Sequence, residues 1–297
     1  MLPLSGILNI NKPAGMTSHD VVDRVRRITG VRRVGHAGTL DPLATGVLLV
    51  CVGQATRVAE YLMASDKRYR ATIHLGVRTS TDDAEGEVLS SQEVQVSEGE
   101  VQAVLQEFVG RIQQVPPMYS ALKRGGKRLY QLARQGITVE RPPRPVTIHR
   151  IEWVKWDPPR FTIDVTCSPG TYIRALARDI GERLGCGAHL AALVRLASGH
   201  FTLDEAVTLE QVAEAFAAGR GEELLLPLDE ALRDWPAVTV DAETARRIGH
   251  GQAVALPMSS EGRCRAYGPD GQLLALLEYN GQKGLWQPRK VFRGARS

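Results

Sequence analysis

The segment 35–46 places one aspartate, Asp41, in surroundings that suit a reactive carboxylate. It reads Gly35-His36-Ala37-Gly38-Thr39-Leu40-Asp41-Pro42-Leu43-Ala44-Thr45-Gly46, so three of its twelve residues are glycines. Glycine permits unusual backbone angles and a close approach of a ligand, and Pro42 keeps Asp41 out of the helical region. A carboxylate in such a rigid loop could be a nucleophile or a general base. Taken alone, the segment favours a plainer interpretation, in which Asp41 is a turn residue bonded to nearby backbone N–H groups.

A second segment presents polar side chains where a predicted strand passes into a predicted helix. It reads Cys167-Ser168-Pro169-Gly170-Thr171-Tyr172-Ile173-Arg174. The Pro-Gly turn between the two elements places Tyr172 and Arg174 at an exposed edge. Arg174 flanks the apolar stripe of the helix, so a solvated helix charge is the alternative interpretation.

The common cofactor and metal motifs are missing from the sequence. It contains no Gly-rich dinucleotide loop, no phosphate loop ending in Gly-Lys-Ser/Thr, no His-Glu-x-x-His and no nucleophile elbow. His189 lies three positions after Cys186, but a single Cys-x-x-His pair favours a histidine packed against a helix over a metal ligand. We therefore expect neither a metal nor a redox cofactor.

Positive charge is concentrated in two segments, although the formal net charge is only +4. Residues 120–150 hold eight Lys or Arg and one acid, and residues 281–297 hold five bases and no acid. Acidic residues dominate segments 82–107 and 204–243. A single charged run is usually solvated surface, but two basic runs interleaved with Tyr130, Trp286 and Phe292 favour nucleic acid, with RNA as good a candidate as DNA.

Hydrophobic periodicity predicts an α+β fold whose sheet is largely antiparallel. The predicted strands are residues 5–10, 47–52, 68–75, 146–156 and 160–167, and the clearest predicted helices are a segment capped at Thr17 or Ser18 and closed by Gly30, residues 97–109, residues 172–184 and residues 241–249. Beyond Trp235-Pro236, short strands around the turn Gly268-Pro269-Asp270-Gly271 predict a small β-barrel.

Composition is that of an ordinary globular protein with a sizeable core. The chain has 297 residues, of which 43% are hydrophobic and 24% charged, close to the average for soluble proteins. No apolar run approaches the ~20 residues of a membrane helix, and no signal peptide is evident. Its four scattered cysteines (Cys51, Cys167, Cys186 and Cys264) indicate reduced, buried thiols. We expect a cytoplasmic protein.

The two segments around Asp41 and Arg174 together resemble the bacterial tRNA pseudouridine-55 synthases, the family of tRNA pseudouridine synthase B. The shared patterns are Gly-His-x-Gly-Thr-Leu-Asp-Pro-x-Ala-Thr-Gly and Gly-Thr-Tyr-Ile-Arg. Further matches occur in the family's order over residues ~5 to 200. They are Asn11-Lys12-Pro13-x-Gly15-x-Thr17-Ser18, Lys67-x-Tyr69-x-Ala71, Leu75-Gly76-x-x-Thr79-x-Thr81-x-Asp83, Pro116-Pro117-x-Tyr119-Ser120-Ala121-x-Lys123 and Ala188-His189-Leu190. The C-terminal segment is similar, by position and pattern, to the RNA-binding PUA domain.

The resemblance implies an enzyme that isomerises one uridine of the tRNA T loop to pseudouridine. Asp41 matches the essential aspartate, which attacks the base at C6 or the sugar at C1′. Arg174 matches the arginine that pairs with this carboxylate, and its planar fork suits a carboxylate better than lysine does. Tyr69 matches the active-site tyrosine, whose ring stacks on the target base and whose hydroxyl lies where a proton must move.

Four further residues match substrate-binding positions. His36 corresponds to a residue that fills the space vacated by the flipped base, while Tyr172 and Leu193 correspond to the pocket wall. Lys12 corresponds to a lysine close to the pocket, where support of the carboxylate's electrostatics and a structural ion pair are equally good interpretations. The sequence departs from the family pattern at Ala37, Pro169 and Val194, and Val194 leaves Arg195 as the single arginine after Leu193.

The resemblance also implies the organisation of the chain and its partners. We expect a pseudouridine synthase catalytic domain at residues 1–230 and a PUA-like RNA-binding domain at residues 236–297. The expected partner is the T stem-loop of tRNA, with no cofactor, no membrane contact and no obligate protein partner, and the expected state is a monomer. The alternative is a non-catalytic tRNA-binding protein or RNA chaperone. Asp41, Tyr69 and Arg174 disfavour it, because a pure binder needs no aspartate facing a polyanion.

Overall fold

The computed structural model describes residues 4–120, 123–124, 127–133, 135–137, 139–258 and 261–292. Its helices are α1 (Ser18–Thr29), α2 (Ala59–Met63), α3 (Glu98–Glu107), α4 (Leu129–Ala133), α5 (Ile173–Arg183), α6 (Leu209–Ala217) and α7 (Ala242–Gly249). Short 3₁₀ turns cover Gly53–Arg57, Gly221–Leu224 and Leu228–Leu232. Within the described residues, no helix has the length and apolar character needed to cross a membrane.

A nine-stranded mixed sheet forms the centre of the molecule. Its main path runs β1 (Gly6–Lys12), β3 (Thr45–Val52), β12 (Ala188–Ser198), β4 (Lys67–Leu75), β11 (Arg160–Cys167), β10 (Arg144–Asp157) and β7 (Gly110–Gln114), while β2 (Val34–His36) pairs with β3 and β13 (Phe201–Thr202) with β12. Of these pairings, only that between β3 and β12 is parallel. The predicted α+β class with a mainly antiparallel mixed sheet is confirmed.

Two hairpins lie outside this sheet in the first two-thirds of the chain. They are formed by β5 (Val77–Thr79) with β6 (Val88–Ser91) and by β8 (Lys123–Arg124) with β9 (Lys127–Arg128). The loop inside the first hairpin carries the pair Asp82 and Asp83. It reaches β12 through the bridge between Asp83 and Leu190, so it is tied to the central sheet.

Local signals in the sequence set the ends of the first helix, as predicted. The side chain of Thr17 accepts a hydrogen bond from the Asp20 N–H, and the Asp20 carboxylate returns to the Thr17 N–H. This capping box satisfies amide groups that the first turn leaves unpaired. Gly30 ends the helix at φ +68°, in the left-handed region, which costs glycine little. The helix therefore ends at Thr29, a few residues before the segment that carries Asp41.

Apolar side chains cover both faces of the central sheet. One cluster packs the sheet against α1 and α5, and includes Val21, Leu48, Tyr69, Leu176 and Leu193. On the opposite face of β1 and β3, a second cluster joins Ile7, Val47 and Leu49 to Leu276 and Phe292 of the C-terminal segment. All four cysteines are buried and unpaired, as expected.

The C-terminal strands form a separate four-stranded sheet in the order β14 (Ala237–Thr239), β15 (Arg263–Tyr267), β16 (Leu273–Asn280) and β17 (Leu285–Val291). Helix α7 packs against this sheet through Ile248. Among the described residues no pairing joins β14 to β17, so the predicted closure into a PUA-like barrel stays a prediction. The proposed domain division likewise stays a prediction.

Candidate active site

The loop that carries Asp41 connects β2 to β3 and is held by hydrogen bonds along its length. Ser18, at the start of α1, accepts from the Leu40 N–H at 2.8 Å and donates to the Leu40 carbonyl at 3.1 Å. The Gly15 N–H donates to the Pro42 carbonyl at 2.9 Å. These hydrogen bonds hold Leu40 and Pro42, the residues on either side of Asp41, so the position of the Asp41 backbone is fixed.

Arg174 reaches Asp41 across the site, although the two residues are 133 positions apart. Its Nε lies 2.9 Å from Oδ2 of Asp41, and its Nη2 donates to Oδ1 at 3.2 Å. The Arg174 side chain is 5% exposed and that of Asp41 is 32% exposed. The alternative of a solvated helix charge is therefore wrong for Arg174. Solvent can therefore reach the Asp41 carboxylate but not the Arg174 guanidinium that pairs with it.

The remaining donors of Arg174 bind the loop between β5 and β6 and the segment after β7. Nη1 donates to the Thr81 carbonyl at 3.2 Å and lies 3.4 Å from Oδ2 of Asp83, while Nη2 also donates to the Tyr119 carbonyl at 2.6 Å. Asp83 is only 2% exposed. Because one planar guanidinium engages two carboxylates and two carbonyls, its orientation toward Asp41 is determined by the whole set.

One turn further along α5, a second arginine repeats this arrangement. Arg178 Nη1 donates to Oδ2 of Asp82 at 3.1 Å, so adjacent aspartates pair with arginines four residues apart on one face of α5. Asp82 has a φ of +62°, the only described non-glycine residue with a positive φ, a conformation that aspartate tolerates better than most residues. The loop between β5 and β6 is therefore docked onto the start of α5 at two points.

The charges around Asp41 act on its pKa in opposite directions. Burial raises the pKa of the Asp41 carboxyl, and the Asp83 carboxylate raises it further, while the Arg174 and Lys12 cations oppose the rise. A desolvated carboxylate is more basic than one in water, and an adjacent cation favours its ionised form. This combination suits an anion that must react at an electron-poor carbon.

Lys12 is fully buried and faces away from solvent. Its ammonium donates to the carbonyls of Pro13 at 2.8 Å, Met16 at 2.6 Å and Pro42 at 3.3 Å. Burial lowers the pKa of Lys12 to about 8, against the opposing effect of Asp41. With a fully buried side chain and three carbonyl partners, Lys12 has no surface to offer a substrate. Its geometry supports a positioning role for the turn at residues 13–16 and the Asp41 loop.

Tyr69 and Leu193 lie next to each other on neighbouring strands, facing the same apolar cluster. Tyr69 of β4 is opposite Arg195 of β12, and Leu193 is opposite Ala71. Tyr69 is 9% exposed and Leu193 6% exposed. Burial raises the pKa of the Tyr69 hydroxyl, an effect that the nearby Arg195 cation opposes and the Asp41 charge reinforces. Tyr69 thus lies within the electrostatic reach of Asp41.

Tyr172 is the N-cap residue of α5, and its backbone is held by the side chain of a glutamine. Its N–H donates to Oε1 of Gln114 at 2.8 Å, and Nε2 of Gln114 donates to the Tyr172 carbonyl at 3.0 Å. Since no side chain caps this helix, Gln114 supplies the anchor that places both Tyr172 and the following Arg174. His36 ends β2 opposite Val50 and is partly buried, directly before the Asp41 loop.

Lys67 anchors the first residue of the strand that carries Tyr69. Its side chain is 6% exposed, and its ammonium donates to the carbonyls of Leu62 at 3.1 Å and Met63 at 2.8 Å, at the end of α2. Burial, reinforced by the Arg195 cation, lowers the pKa of Lys67 from 10.5 to about 8.

We expect Lys67 to make the free energy of unfolding rise with pH between about 8 and 10.5. In that window the unfolded chain still binds a proton that the folded chain has released, so raising the pH favours the folded state. The rise is at most about 1.4 kcal/mol per pH unit. Urea unfolding of the wild type and of Lys67→Met at about pH 8 and about pH 9.5 measures it. The effects of other titrating groups cancel in the difference between the unfolding free energies of the two proteins. If this difference were the same at both pH values, the expectation would be contradicted.

Three buried residues of this site lie outside the set expected from the sequence: Asp83, Gln114 and Arg195. Asp83 stands in a Thr-x-Thr-x-Asp pattern, which is a usable signal because threonine hydroxyls often pair with a nearby carboxylate. Gln114 and Arg195 have no local signal, since their hydrogen-bond partners are distant in the chain, at the start of α5 for Gln114 and on either side of Asp41 for Arg195. In the described residues, no group of three or more His, Cys, Asp or Glu side chains is arranged to hold a metal.

Models of known families match almost the whole chain in three consecutive parts. Residues 26–173 match the N-terminal domain of the TruB family of pseudouridylate synthases. Residues 174–233 match the C-terminal domain of tRNA pseudouridylate synthase B, and residues 235–293 match the C-terminal region of tRNA pseudouridine synthase II.

Similar proteins have the same name in several bacteria. The tRNA pseudouridine synthase B of Methylobacillus flagellatus is 46% identical over 98% of this chain and 96% of its own length. Those of Dechloromonas aromatica and Syntrophotalea carbinolica are 48% and 51% identical, over 97% and 84% of this chain and over 95% and 81% of their own lengths.

Two solved structures share the fold. A chain of a Cbf5-Nop10-Gar1 complex superposes with a TM-score of 0.76 at 27% identity, over 96% of this chain and 84% of its own. A chain of an H/ACA ribonucleoprotein bound to a substrate RNA containing 2′-deoxyuridine gives a TM-score of 0.74 at 26% identity, over 97% of this chain and 84% of its own.

Proposed function

Because this chain belongs to the TruB family of pseudouridylate synthases, we propose that it converts the T-loop uridine of tRNA, position 55, into pseudouridine with Asp41 as the nucleophile. The observation that carries the proposal is the ion pair of Asp41 with Arg174. A carboxylate 32% open to solvent against a guanidinium 5% exposed combines access for a substrate with a fixed counter-charge. A protein that only binds RNA gains nothing from such a carboxylate, because it repels phosphate.

The reaction rearranges bonds within one nucleotide. The C1′–N1 bond breaks, a C1′–C5 bond forms, the C5 proton is released and N1 takes up a proton, so no oxidant or reductant is consumed. Asp41 attacks either C6 of the base or C1′ of the sugar, and both routes need its ionised form. Arg174 favours that form by opposing the rise in the pKa of Asp41 that burial causes.

The target base must leave the T loop before Asp41 can reach it, because a stacked base shields its reactive atoms. Tyr69 and Leu193 belong to one apolar cluster that also includes Leu40 of the Asp41 loop. An apolar wall next to a carboxylate suits the flat face of a uracil ring. Tyr69 additionally carries a hydroxyl within the electrostatic reach of Asp41, and this hydroxyl is a candidate for moving the C5 proton. His36 directly precedes the Asp41 loop, and Tyr172 precedes the first turn of α5, which carries Arg174.

Contacts with tRNA phosphates are proposed for the two basic segments, 120–150 and 281–297. Arg144 and Arg150 of β10 and Lys283 and Arg289 near β17 are exposed, while the bases at 123–128, 134, 293 and 296 lie outside the side chains that the structure describes. Such contacts make tRNA affinity fall as the salt concentration rises. The domain division at 230–236, the PUA-like assignment, the monomeric state without a protein partner and the cytoplasmic location belong to the same proposal.

Release of tritium from C5-labelled uridine tests the proposal directly. We expect the wild type to release tritium from an unmodified tRNA transcript, because the C5 proton leaves in every turnover. A transcript with cytidine at position 55 is the matched control, and the label at other uridines should stay in place. Tight, salt-sensitive binding of tRNA without any release would favour the non-catalytic tRNA-binding protein, and release from another uridine would contradict the T-loop assignment.

A further inference from the structure

We propose that Arg195 is a positioning residue that fastens both ends of the Asp41 loop to the strand facing Tyr69. The inference about catalysis rests on the proposed function, whereas the tether itself is a property of the fold. Arg195 is 1% exposed, so it has no route to the phosphates of an RNA.

The backbone of Arg195 passes unusually close to the end of the Asp41 loop. Gly46, the second residue of β3, has a φ of +94° and pairs with Arg195, and a Cβ at Gly46 would lie 2.3 Å from the Arg195 carbonyl oxygen. Any other residue at Gly46 would force β3 and β12 apart. The strand that carries Arg195 is therefore in direct backbone contact with the point where the loop joins the sheet.

The side chain of Arg195 adds two hydrogen bonds to the loop. Its Nε donates to the Val47 carbonyl at 2.6 Å, and its Nη2 donates to the Gly38 carbonyl at 3.0 Å. Gly38 precedes Asp41 and Val47 follows it, so one guanidinium holds the chain on both sides of the nucleophile. A planar fork with several donors serves these two carbonyls, nine residues apart, at the same time.

The same guanidinium faces Tyr69. Arg195 and Tyr69 are directly opposed across β12 and β4, and both project toward the side of the sheet that Asp41 occupies. The Arg195 charge acts on the Tyr69 hydroxyl by opposing the effect of burial on its pKa. Arg195 thus links the Asp41 loop to Tyr69, the two groups that the proposed function brings to the target base.

Burying this charge has a cost that packing alone does not explain. An arginine stays protonated in a protein, and the partners of Arg195 are neutral carbonyls, with no Asp or Glu within ion-pair distance among the described residues. The positively charged Lys12 and Lys67 are close enough for Arg195 to lower the pKa of each. A methionine or leucine would fill the space without desolvating a charge, so the guanidinium has to act through its hydrogen bonds.

The test compares Arg195→Met, which removes the fork and the charge, with Arg195→Lys, which keeps the charge alone. Arg70→Met is the matched control, because Arg70 lies in the adjacent strand β4 on the opposite face and pairs with Asp164. Two quantities are measured: the single-turnover rate with its tRNA dissociation constant, and deuterium uptake of the peptide spanning residues 37–47.

For Arg195→Met we expect a single-turnover rate about 10- to 100-fold lower, a tRNA dissociation constant within about twofold of the wild type, and faster deuterium uptake in the loop. The rate and the deuterium uptake of Arg195→Lys should lie between those of the wild type and Arg195→Met. Both quantities should be unchanged in Arg70→Met. Weaker tRNA binding with an unchanged rate, or unchanged rate and uptake, would overturn the proposal. The uptake measurement needs no turnover, so it tests the tether even if the wild type proves inactive.

Discussion

Replacing Asp41 by asparagine should abolish pseudouridine formation while leaving tRNA binding intact. Asparagine has the same shape as aspartate but cannot act as an anionic nucleophile, so we expect turnover to fall by at least about 10⁴-fold, as for other nucleophile deletions. The fold should survive, because Arg174 retains Asp83 and the carbonyls of Thr81 and Tyr119 as partners. Tritium release from C5-labelled tRNA measures the loss, and a filter-binding isotherm measures the affinity.

The matched control for this variant is Asp204→Asn. Asp204 is exposed and lies between β13 and α6, outside the site, and the substitution removes the same charge from the protein. It should release tritium at the wild-type rate. If Asp41→Asn turned over normally, Asp41 would be the turn residue of the plainer interpretation, and the nucleophile would have to be sought elsewhere.

Replacing Arg174 by lysine should also cause a large loss of activity, although the charge is preserved. The guanidinium makes five contacts from one plane, to the two oxygens of Asp41, to Asp83, and to the carbonyls of Thr81 and Tyr119. A single ammonium cannot reproduce this set. Because lysine keeps the charge but loses the geometry that positions the Asp41 carboxylate, we expect a fall in rate of about 10²- to 10³-fold.

The pH dependence of Arg174→Lys separates a catalytic effect from a loss of stability. Arg174 opposes the rise in the pKa of Asp41 that burial causes, so weakening the pair should raise that pKa. Since the ionised form reacts, the acid limb of the pH–rate profile should move to higher pH. Arg183→Lys is the control, because Arg183 lies on the same helix, pairs with Glu107 and is 62% exposed. An unshifted acid limb with a lowered melting temperature would mean that Arg174 acts only on folding.

Local patterns in the sequence determined the secondary structure around the site. The capping box at Thr17, the stop at Gly30 and the alternation along β4 are set by neighbouring residues alone. That alternation already assigns Tyr69 to the buried face and Arg70 to the exposed one, because successive side chains of a strand point to opposite faces. The family resemblance carried by the motif around Asp41 likewise pointed to this residue as the proposed nucleophile without knowledge of the fold.

Only the tertiary structure decided which of the charges near Asp41 are buried. Lys12 and Arg195 carry no sequence signal of burial, because lysine and arginine are almost always at the surface, and their partners are backbone carbonyls that no side-chain pattern reveals. Arg174 meets Asp41 across 133 residues because the packing of α5 against the central sheet brings its first turn to the Asp41 loop. Caps and strand alternation depend on residues a few positions apart, so they can be predicted from the sequence. The removal of charges from water depends on elements distant in the chain, so it is settled only when the sheet and helices assemble.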